Sequence, residues 1–435
     1  MMETFTSGND RDGMISLKEI MSCQPETRSH RQRTGRAGFL LFVLLVLFVL
    51  LVLAPFERVA LASDAKEIYD QAMNASYNLD FNIAERGYET LTRDYPDNPD
   101  YWNALASLLW LRIAFGQQKL NLESFSGRTL GTRDSKDTVD PEDERRFRDT
   151  IAIAIQKADA ILSKNPNDVR ALYAKGISNG TLGSFEATIK RSYVAAYTKS
   201  RIAHDLHEQV LKLDPTFDDA QLSIGAYDYV IGVIPGLVRF LLAPFGIRGA
   251  GKDVGIQELE KAAANGKTVS TDAKMILTVV YTREKQYEQA LRLFQDIHAR
   301  YPRNFLMELG EASVYAKMQK WDEADRIYEQ ILSKIEMKKD GYERLRKGRV
   351  FYALGSNDID RQQFEKAIEA FTRVVAANDA SPDEKGRSYL WLGKLFDSKK
   401  DRMKAVEQYD ALLALNCSPL LKSQAQRYKR RPYGE

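Results

Sequence analysis

Residues 246–253 (GIRGAGKD) differ from a phosphate-binding loop, G-x-x-x-x-G-K-[ST], only at the last position. Such a loop cradles phosphate with backbone N–H groups and a lysine, and its hydroxyl residue ligates Mg²⁺. Asp253 stands where the hydroxyl is required, and its negative charge would repel phosphate. The loop also needs a preceding strand, which the surrounding helical pattern does not provide. The segment therefore predicts a turn before a helix, and NTPase activity is the least favoured function.

Histidine is the other residue type that could supply chemistry, and the chain contains four of them. His204 and His207 are three residues apart, so a helix would place both imidazoles on one face. That spacing is compatible with a metal site, but no third histidine or cysteine follows nearby. We expect both histidines to lie on a solvated helix face. We expect no catalytic residue, no metal ligand and no cofactor.

The most distinctive candidate for a binding site is the apolar segment 231–245. Leu237, Phe240 and Leu241 are spaced i, i+3, i+4, so they share one helical face. An exposed apolar face typically marks a contact site, and the alternative is that this face is buried in the core. The predicted partner- or ligand-binding residues are Tyr227, Tyr229, Arg239, Phe245 and Arg248.

The pattern in residues 271–304 indicates the type of structural element that must position these side chains. Four residues spaced i, i+3, i+4, i+7 predict an amphipathic helix: Tyr287, Ala290, Leu291 and Phe294. Pro302 prevents this helix from continuing. A shorter amphipathic stretch precedes it, so the segment predicts a hairpin of two helices. One hairpin cannot bury its apolar face alone, and stacked neighbours are therefore expected.

The same pattern recurs with a period close to 34 residues. Ala290 and Ala324 are 34 residues apart. Ala84, Ala203 and Ala290 each precede a proline by twelve residues. The pattern resembles the tetratricopeptide repeat (TPR), in which a small residue lies where two helices touch. The resemblance covers essentially residues 65–417 and implies an all-α, right-handed solenoid of about eight helical hairpins.

Interruptions of the pattern predict the domain boundaries. The solenoid is expected at 65–417 with insertions at 117–143 and 232–252, followed by a C-terminal helix and basic tail at 418–435. Within the hairpin 167–215, the second helix is expected to run from about Ser184 to Leu213.

Residues 225–255 contain a Gly-x-x-x-Tyr start (Gly225, Tyr229), a proline, an apolar stretch and a glycine-rich turn. In these features the chain resembles exported bacterial TPR proteins of undefined activity and, more distantly, the eukaryotic tetratricopeptide-repeat protein 39 family. This resemblance implies a shared fold and no enzyme activity.

The N-terminal region predicts an association with a membrane. Residues 38–56 contain no charge and can just span a bilayer as a hydrophobic helix. Residues 1–37 are polar and become basic, which predicts a disordered cytoplasmic tail and a solenoid outside the cytoplasm. Two interpretations remain open. One is a single-pass anchor in the inner (cytoplasmic) membrane; the other is cleavage near Ala62, which would give a periplasmic or secreted protein.

Composition restricts the class of function. The net charge of +3, from 63 basic and 60 acidic side chains, is too balanced to indicate a nucleic-acid-binding protein. Cys23 and Cys417 lie on opposite sides of the apolar segment and form no disulfide framework. The leading interpretation is a non-enzymatic extracytoplasmic scaffold that binds a protein or peptide in a concave groove. The alternative is a small-molecule or lipid-binding protein that uses 231–245, as in the periplasmic TPR partners of TRAP transporters.

Overall fold

A computed structural model describes residues 63–117, 139–234 and 249–435, and every regular element within these ranges is a helix. The hydrophobic segment 38–56 and most of the two predicted insertions lie outside the described residues. No helix in the part of the chain that the structure describes is long and apolar enough to cross a membrane.

Seventeen α-helices follow one another in the described ranges. The first eight are α1 (Ser63–Tyr77), α2 (Phe81–Asp94), α3 (Pro99–Gly116), α4 (Pro141–Leu162), α5 (Val169–Phe185), α6 (Tyr193–Leu213), α7 (Gln221–Gly232) and α8 (Lys252–Asn265). The remaining nine are α9 (Ser270–Arg283), α10 (Tyr287–Arg300), α11 (Phe305–Lys317), α12 (Trp321–Glu336), α13 (Lys347–Asp360), α14 (Phe364–Ala376), α15 (Pro382–Ser398), α16 (Arg402–Ala414) and α17 (Pro419–Arg430).

Consecutive helices pack in pairs, from α1 with α2 to α15 with α16, and these pairs make eight hairpins. The second helix of each hairpin also packs on the first helix of the next hairpin. The last helix, α17, packs on α15 and α16 at the C-terminal end. The prediction of an all-α solenoid of about eight hairpins is confirmed.

Local sequence determines where several helices begin. Asp140 accepts a hydrogen bond from the Glu142 N–H at 2.8 Å, and Pro141 occupies the first helical position of α4. Ser381 and Glu384 form a reciprocal capping box at the start of α15. Both arrangements satisfy N–H groups that have no partner within the helix. Helix α4 therefore begins inside the acidic run 140–144.

Six hairpin turns contain a left-handed residue that is not glycine. One is Arg191, between α5 and α6, and the other five are closely alike. Their φ angles lie between 59 and 64°, at Leu79, Lys285, Gln319, Gln362 and Lys400. Each of these residues precedes by five positions a buried alanine at the hairpin contact: Ala84, Ala290, Ala324, Ala367 and Ala405. A left-handed residue ends one helix and lets the chain reverse within a few residues. These five left-handed residues therefore occupy the same position in their hairpins.

The two helices of a hairpin differ in how much of their surface they bury. The first helices form an inner layer, and α5 buries 14 of its 17 residues. The second helices form an outer layer, and α10 buries only four of its 14 residues. Polar contacts also cross the inner layer, because Asn103 on α3 donates to the Ala174 carbonyl on α5 at 2.9 Å. The inner layer therefore forms the core of the solenoid.

The boundary between α5 and α6 differs from the prediction. We expected the second helix of this hairpin to begin near Ser184, but α5 continues to Phe185 and through a π-helical turn at Glu186–Lys190. Ser184 is fully buried as part of the inner layer. The chain reverses at Arg191, which has a φ of 54°, and α6 begins at Tyr193. The predicted start was wrong because residues 182–189, nearly all of them buried, continue the first helix and its π-helical turn.

Candidate functional site

Two of the five predicted binding residues, Tyr227 and Tyr229, lie on α7. The other three, Arg239, Phe245 and Arg248, lie outside the described residues. The structure therefore describes α7 and α8, the helices that precede and follow residues 235–248.

Tyr229 connects three helices. Its ring is fully buried, and its hydroxyl donates to Glu284 Oε1 at 3.0 Å, just beyond the end of α9. Lys252 Nζ, at the start of α8, donates to Glu284 Oε2 at 2.5 Å. Burial, and then the charge of Glu284, raise the pKa of Tyr229 well above its usual value. The lysine of the glycine-rich segment is therefore part of an ion pair.

Tyr227 on α7 packs against side chains of α6. Its ring centroid is 4.5 Å from that of His204 and 6.4 Å from that of Tyr197, and only 7% of the residue is exposed. Both tyrosines are thus packed against other side chains of the chain. Their role in binding a partner stays a prediction.

An acidic pair lies next to these tyrosines, and the sequence analysis did not identify it. Asp228 is buried on α7 and accepts a hydrogen bond from the Ala250 N–H at 2.7 Å. Burial, and then the neighbouring Asp228, raise the pKa of Glu258 on α8 to about 7. Burial also raises the pKa of Asp228. A single acidic residue inside the apolar run 222–234 was the signal that could have revealed this pair.

The acidic pair predicts a pH dependence of stability. The pKa of Glu258 is higher in the folded protein than the usual glutamate value of 4.5, so the folded state binds more protons between about pH 4.5 and pH 7. The free energy of unfolding should therefore fall as pH rises through this window. Glu258→Gln should remove part of that fall, so its Tm relative to the parent protein should be higher at pH 8 than at pH 5.

Thermal unfolding followed by circular dichroism at both pH values measures this effect. Glu288→Gln, which changes an exposed glutamate on α10, is the matched control and should preserve the pH dependence of the parent protein. An identical pH dependence in the two variants would contradict the assignment to Glu258.

Two glycines allow α7 and α8 to approach each other closely. A Cβ atom on Gly255 would lie 2.4 Å from the backbone N of Tyr229 and 2.6 Å from the carbonyl oxygen of Gly225. A Cβ atom on Gly225 would lie 2.7 Å from the Gly255 carbonyl oxygen. Real Cβ atoms do not approach backbone atoms so closely, so the crossing requires glycine in both helices. These glycines serve helix packing.

The predicted solvated position of the two histidines is wrong for His207. His207 is only 1% exposed, and its Nε2 donates to the Tyr173 carbonyl at 3.0 Å while Nδ1 accepts from the Ser223 hydroxyl. Burial lowers the pKa of His207 to about 4, so the ring is neutral near pH 7. It shares the buried face of α6 with Ala203 and Val210. Within the described ranges, no group of three or more His, Cys, Asp or Glu side chains could hold a metal ion.

A second constellation joins distant parts of the solenoid. The turn of hairpin 1 contacts hairpins 5 and 6, which lie more than 190 residues further along the chain. We call this contact the closure seam and define it as residues 77–81 with Asp272, 301–305 and 342–344. The Asp80 carboxylate is 7% exposed and accepts from Arg303 Nε at 2.9 Å and from Arg344 Nη2 at 2.7 Å.

Neutral hydrogen bonds and rings complete the closure seam. Asn304 Nδ2 donates to the Tyr77 carbonyl at 2.8 Å, and the Tyr77 hydroxyl donates to Asp272 Oδ1 at 2.9 Å. Asp272 has no exposed surface, and burial raises the pKa of its carboxyl group well above the usual range. The rings of Tyr77 and Tyr301 pack with centroids 4.8 Å apart. Hairpin 1 is therefore held against hairpins 5 and 6 by buried contacts.

A sequence model of the tetratricopeptide repeat matches residues 69–114 and 352–416, which lie in the hairpins near the two ends of the solenoid. The chain contains tetratricopeptide repeats. In this TPR protein, residues 247–345 also match a model of the coatomer epsilon subunit. No curated protein matches the chain in sequence.

Several solved structures are similar to this TPR protein. A tetratricopeptide repeat protein from Parabacteroides merdae is 14% identical over 76% of this chain and 99% of that chain, with a TM-score of 0.30. Yeast Tom70 is 12% identical over 85% and 95%, with a TM-score of 0.32. Human IFIT1, in a dimer with m7Gppp-AAAA, is 13% identical over 91% and 87%, with a TM-score of 0.39. The family assignment rests on the repeat-model match and on the hairpins themselves.

Proposed function

We propose that this TPR protein is a non-enzymatic scaffold, held at the outer face of the cytoplasmic membrane, that binds an acidic protein segment on hairpins 7 and 8. The TPR fold itself supports a role in protein–protein interaction. The closure seam is the observation that carries the choice of surface. It holds hairpin 1 against hairpins 5 and 6, and it includes no residue of hairpins 7 and 8.

The inner helices of the last two hairpins are less buried than those near the seam. Of the 14 residues of α13, six are buried, and of the 17 residues of α15, eight are buried. The corresponding helix α9 of hairpin 5, which contributes Asp272 to the closure seam, buries 11 of its 14 residues. The inner side of hairpins 7 and 8 therefore retains more accessible surface for a partner.

The side chains on this surface are basic and aromatic. We call it the C-terminal inner face and define it by Arg349, Tyr352, Arg387, Trp391 and Lys394. The Arg387 guanidinium lies 5.7 Å from the centroid of the Tyr352 ring, which connects α15 to α13. Lys394 Nζ lies 4.6 Å from the centroid of the Trp391 ring. Basic and aromatic side chains on one face complement an extended segment with acidic side chains.

Site-specific crosslinking in cells tests this surface. A photoactivatable residue at position 349 should capture a protein partner, and the same residue at 326, an exposed position on the outer helix α12, should not. The charge reversal Arg387→Glu should reduce capture from position 349 by at least about tenfold, because like charges repel an acidic segment. Equal capture from both positions, or capture unaffected by Arg387→Glu, would contradict the proposal.

The location is proposed from the uncharged segment 38–56 and the basic residues before it. Alkaline phosphatase fused after Glu435 should be active, because this enzyme matures only outside the cytoplasm, and a reporter that works only in the cytoplasm should be silent. The reverse pattern would overturn the proposed topology and leave the C-terminal inner face unaffected.

The alternative of a small apolar ligand finds no specific support in the described residues. A cleft of about 610 Å³ beside α1 is open and lined mainly by polar and charged side chains, among them Lys66, Asp70 and Arg303. Pockets for apolar ligands are instead lined predominantly by hydrophobic and aromatic side chains.

A further inference from the structure

Two basic segments meet at the C-terminal end of the solenoid. Residues 399–404 (KKDRMK) and 427–431 (RYKRR) contain eight basic side chains and one acidic side chain. Arg402 joins the segments, because its Nη2 donates to the carbonyls of Tyr428 at 2.9 Å and Lys429 at 2.6 Å. We call the basic side chains of these segments, together with Met403, the basic patch.

The basic patch differs strongly in charge from the rest of the chain. The segments 399–404 and 427–431, with Asp401 included, carry a formal side-chain charge of +7, whereas the whole chain carries +3, so all other residues together carry −4. Four of the cations form ion pairs: Lys399, Arg402, Lys404 and Lys429. The other four, Lys400, Arg427, Arg430 and Arg431, are exposed and form no ion pair with any residue that the structure describes. The patch therefore presents uncompensated positive charge to the solvent.

An exposed apolar side chain lies within this charge. Met403 follows Arg402 in the first turn of α16 and is 72% exposed. The comparable Met337 is 68% exposed, but its neighbours Glu336, Lys338, Lys339 and Asp340 balance one another in charge. An exposed methionine thus coincides with excess positive charge at position 403 and not at position 337.

We propose that the basic patch binds the anionic headgroups of a phospholipid bilayer. Clustered lysines and arginines are attracted to anionic lipid surfaces, and an exposed apolar side chain among them can enter the boundary between headgroups and acyl chains. All other residues together carry a net negative charge, so the chain outside the two basic segments has no net attraction to an anionic surface. The patch therefore orients the solenoid with its C-terminal end toward the lipid.

Single-stranded nucleic acid fits the basic patch less well. Such ligands stack their bases on exposed aromatic rings between the cations. The two tyrosines of this region, Tyr428 and Tyr433, instead pack on each other with centroids 5.3 Å apart. Both rings also lie beside Lys394 Nζ, at 5.3 and 5.2 Å from their centroids. Both rings are thus packed against other side chains of the protein. A phosphate backbone also offers no apolar group for Met403 to contact.

This inference extends the proposed function without depending on the C-terminal inner face. The segment 38–56 would anchor the N-terminal end of the chain, and the basic patch would supply a second, reversible contact at the other end. A membrane-spanning anchor is sufficient to hold the chain at the bilayer, so the basic patch would determine the orientation of the solenoid. The contact should also weaken with salt, because ions screen attraction between exposed charges.

Energy transfer in nanodiscs tests the proposal with the full-length chain. A donor dye is attached at Glu435→Cys in a Cys23→Ser, Cys417→Ser background, and an acceptor dye is placed on the lipid headgroups. Discs that contain phosphatidylglycerol should give at least about twice the energy transfer of pure phosphatidylcholine discs, and high salt should remove the difference.

A matched pair of triple variants assigns the effect to the patch. Arg427→Gln, Arg430→Gln and Arg431→Gln together should lower the transfer in anionic discs to the level of neutral discs. Arg326→Gln, Lys338→Gln and Lys339→Gln remove three charges from exposed positions elsewhere and should preserve the transfer. Equal loss in both triple variants, or equal transfer in neutral and anionic discs, would overturn the proposal. Binding of a single-stranded RNA that requires the three arginines, without any lipid dependence, would assign the patch to nucleic acid instead.

Discussion

Asp80→Ala should destabilise the protein by about 2–4 kcal/mol, because it removes the carboxylate that two arginines of the closure seam share. Arg303 and Arg344 would remain close together without a counter-charge on hairpin 1. Hairpin 1 should then separate from hairpins 5 and 6, and amide hydrogen exchange at 301–305 should become faster. Urea denaturation followed by circular dichroism measures the loss of unfolding free energy.

Asp94→Ala is the matched control for this prediction. Asp94 is an acidic residue at the end of α2 that pairs only with its exposed neighbour Arg93 among the described residues. Exposed pairs of this kind contribute about 0.2–1 kcal/mol at most, so the control should remain close to the parent protein. An Asp80→Ala variant as stable as Asp94→Ala would show that the closure seam does not hold the first hairpin in solution.

Gly255→Ala should destabilise the crossing of α7 and α8, although it adds only one methyl group. The added carbon would meet backbone atoms of Tyr229 and Gly225, which cannot rotate away as a flexible side chain would. Forcing extra volume into such a contact typically costs about 1–3 kcal/mol. The two helices should move apart, and the hydrogen bond from Tyr229 to Glu284 should be strained.

Gly116→Ala provides the control, because a Cβ atom at Gly116 would meet nothing within 4 Å. Gly116 is the last residue of α3, where alanine favours helix more than glycine, so this variant should keep or slightly raise the Tm. Tm values measured by differential scanning calorimetry compare the two variants directly. If Gly255→Ala melts at the same temperature as Gly116→Ala, the close crossing of α7 and α8 does not exist in solution.

The repeats themselves could be predicted because their signal is local. The spacing around Ala290 and Ala324 reflects the helical period, and both alanines are fully buried at a contact between helices. Pro302 follows the end of α10 by two residues, as expected for a residue that cannot continue a helix. Element type and order therefore follow from patterns no longer than one repeat.

The closure seam could not be predicted because its members share no local pattern. Asp80 and Arg303 are 223 residues apart, and Asp80 and Arg344 are 264 residues apart. Each is a charged residue in or near a turn, where charged residues are common on any solvated surface. The left-handed turn residues, such as Lys285 and Gln319, were missed for a related reason, because that conformation is usually assigned only to glycine or asparagine.

The candidate site was predicted only in outline. The unusual composition of 225–255 identified the right part of the chain, but Asp228 and Glu258 meet through the packing of two helices. His207 was assigned to the solvent because its spacing from His204 was considered without the neighbouring helices α5 and α7. Which face of a helix is buried depends on its neighbours, and a single sequence does not specify their arrangement.

The closure seam also affects the order in which this protein can be assembled during translation. Most repeat proteins fold by adding one hairpin to the last, because each repeat contacts only its neighbours. Here Tyr77 and Asp80 leave the ribosome long before Arg344 is synthesised, so hairpin 1 must wait for its distant partners. Contacts of such long range slow folding and leave apolar surface exposed in the meantime. A nascent chain that stops before Asp272 and Tyr301 would present the ring of Tyr77 to chaperones, and release from them would then report that hairpin 1 has closed on its distant partners.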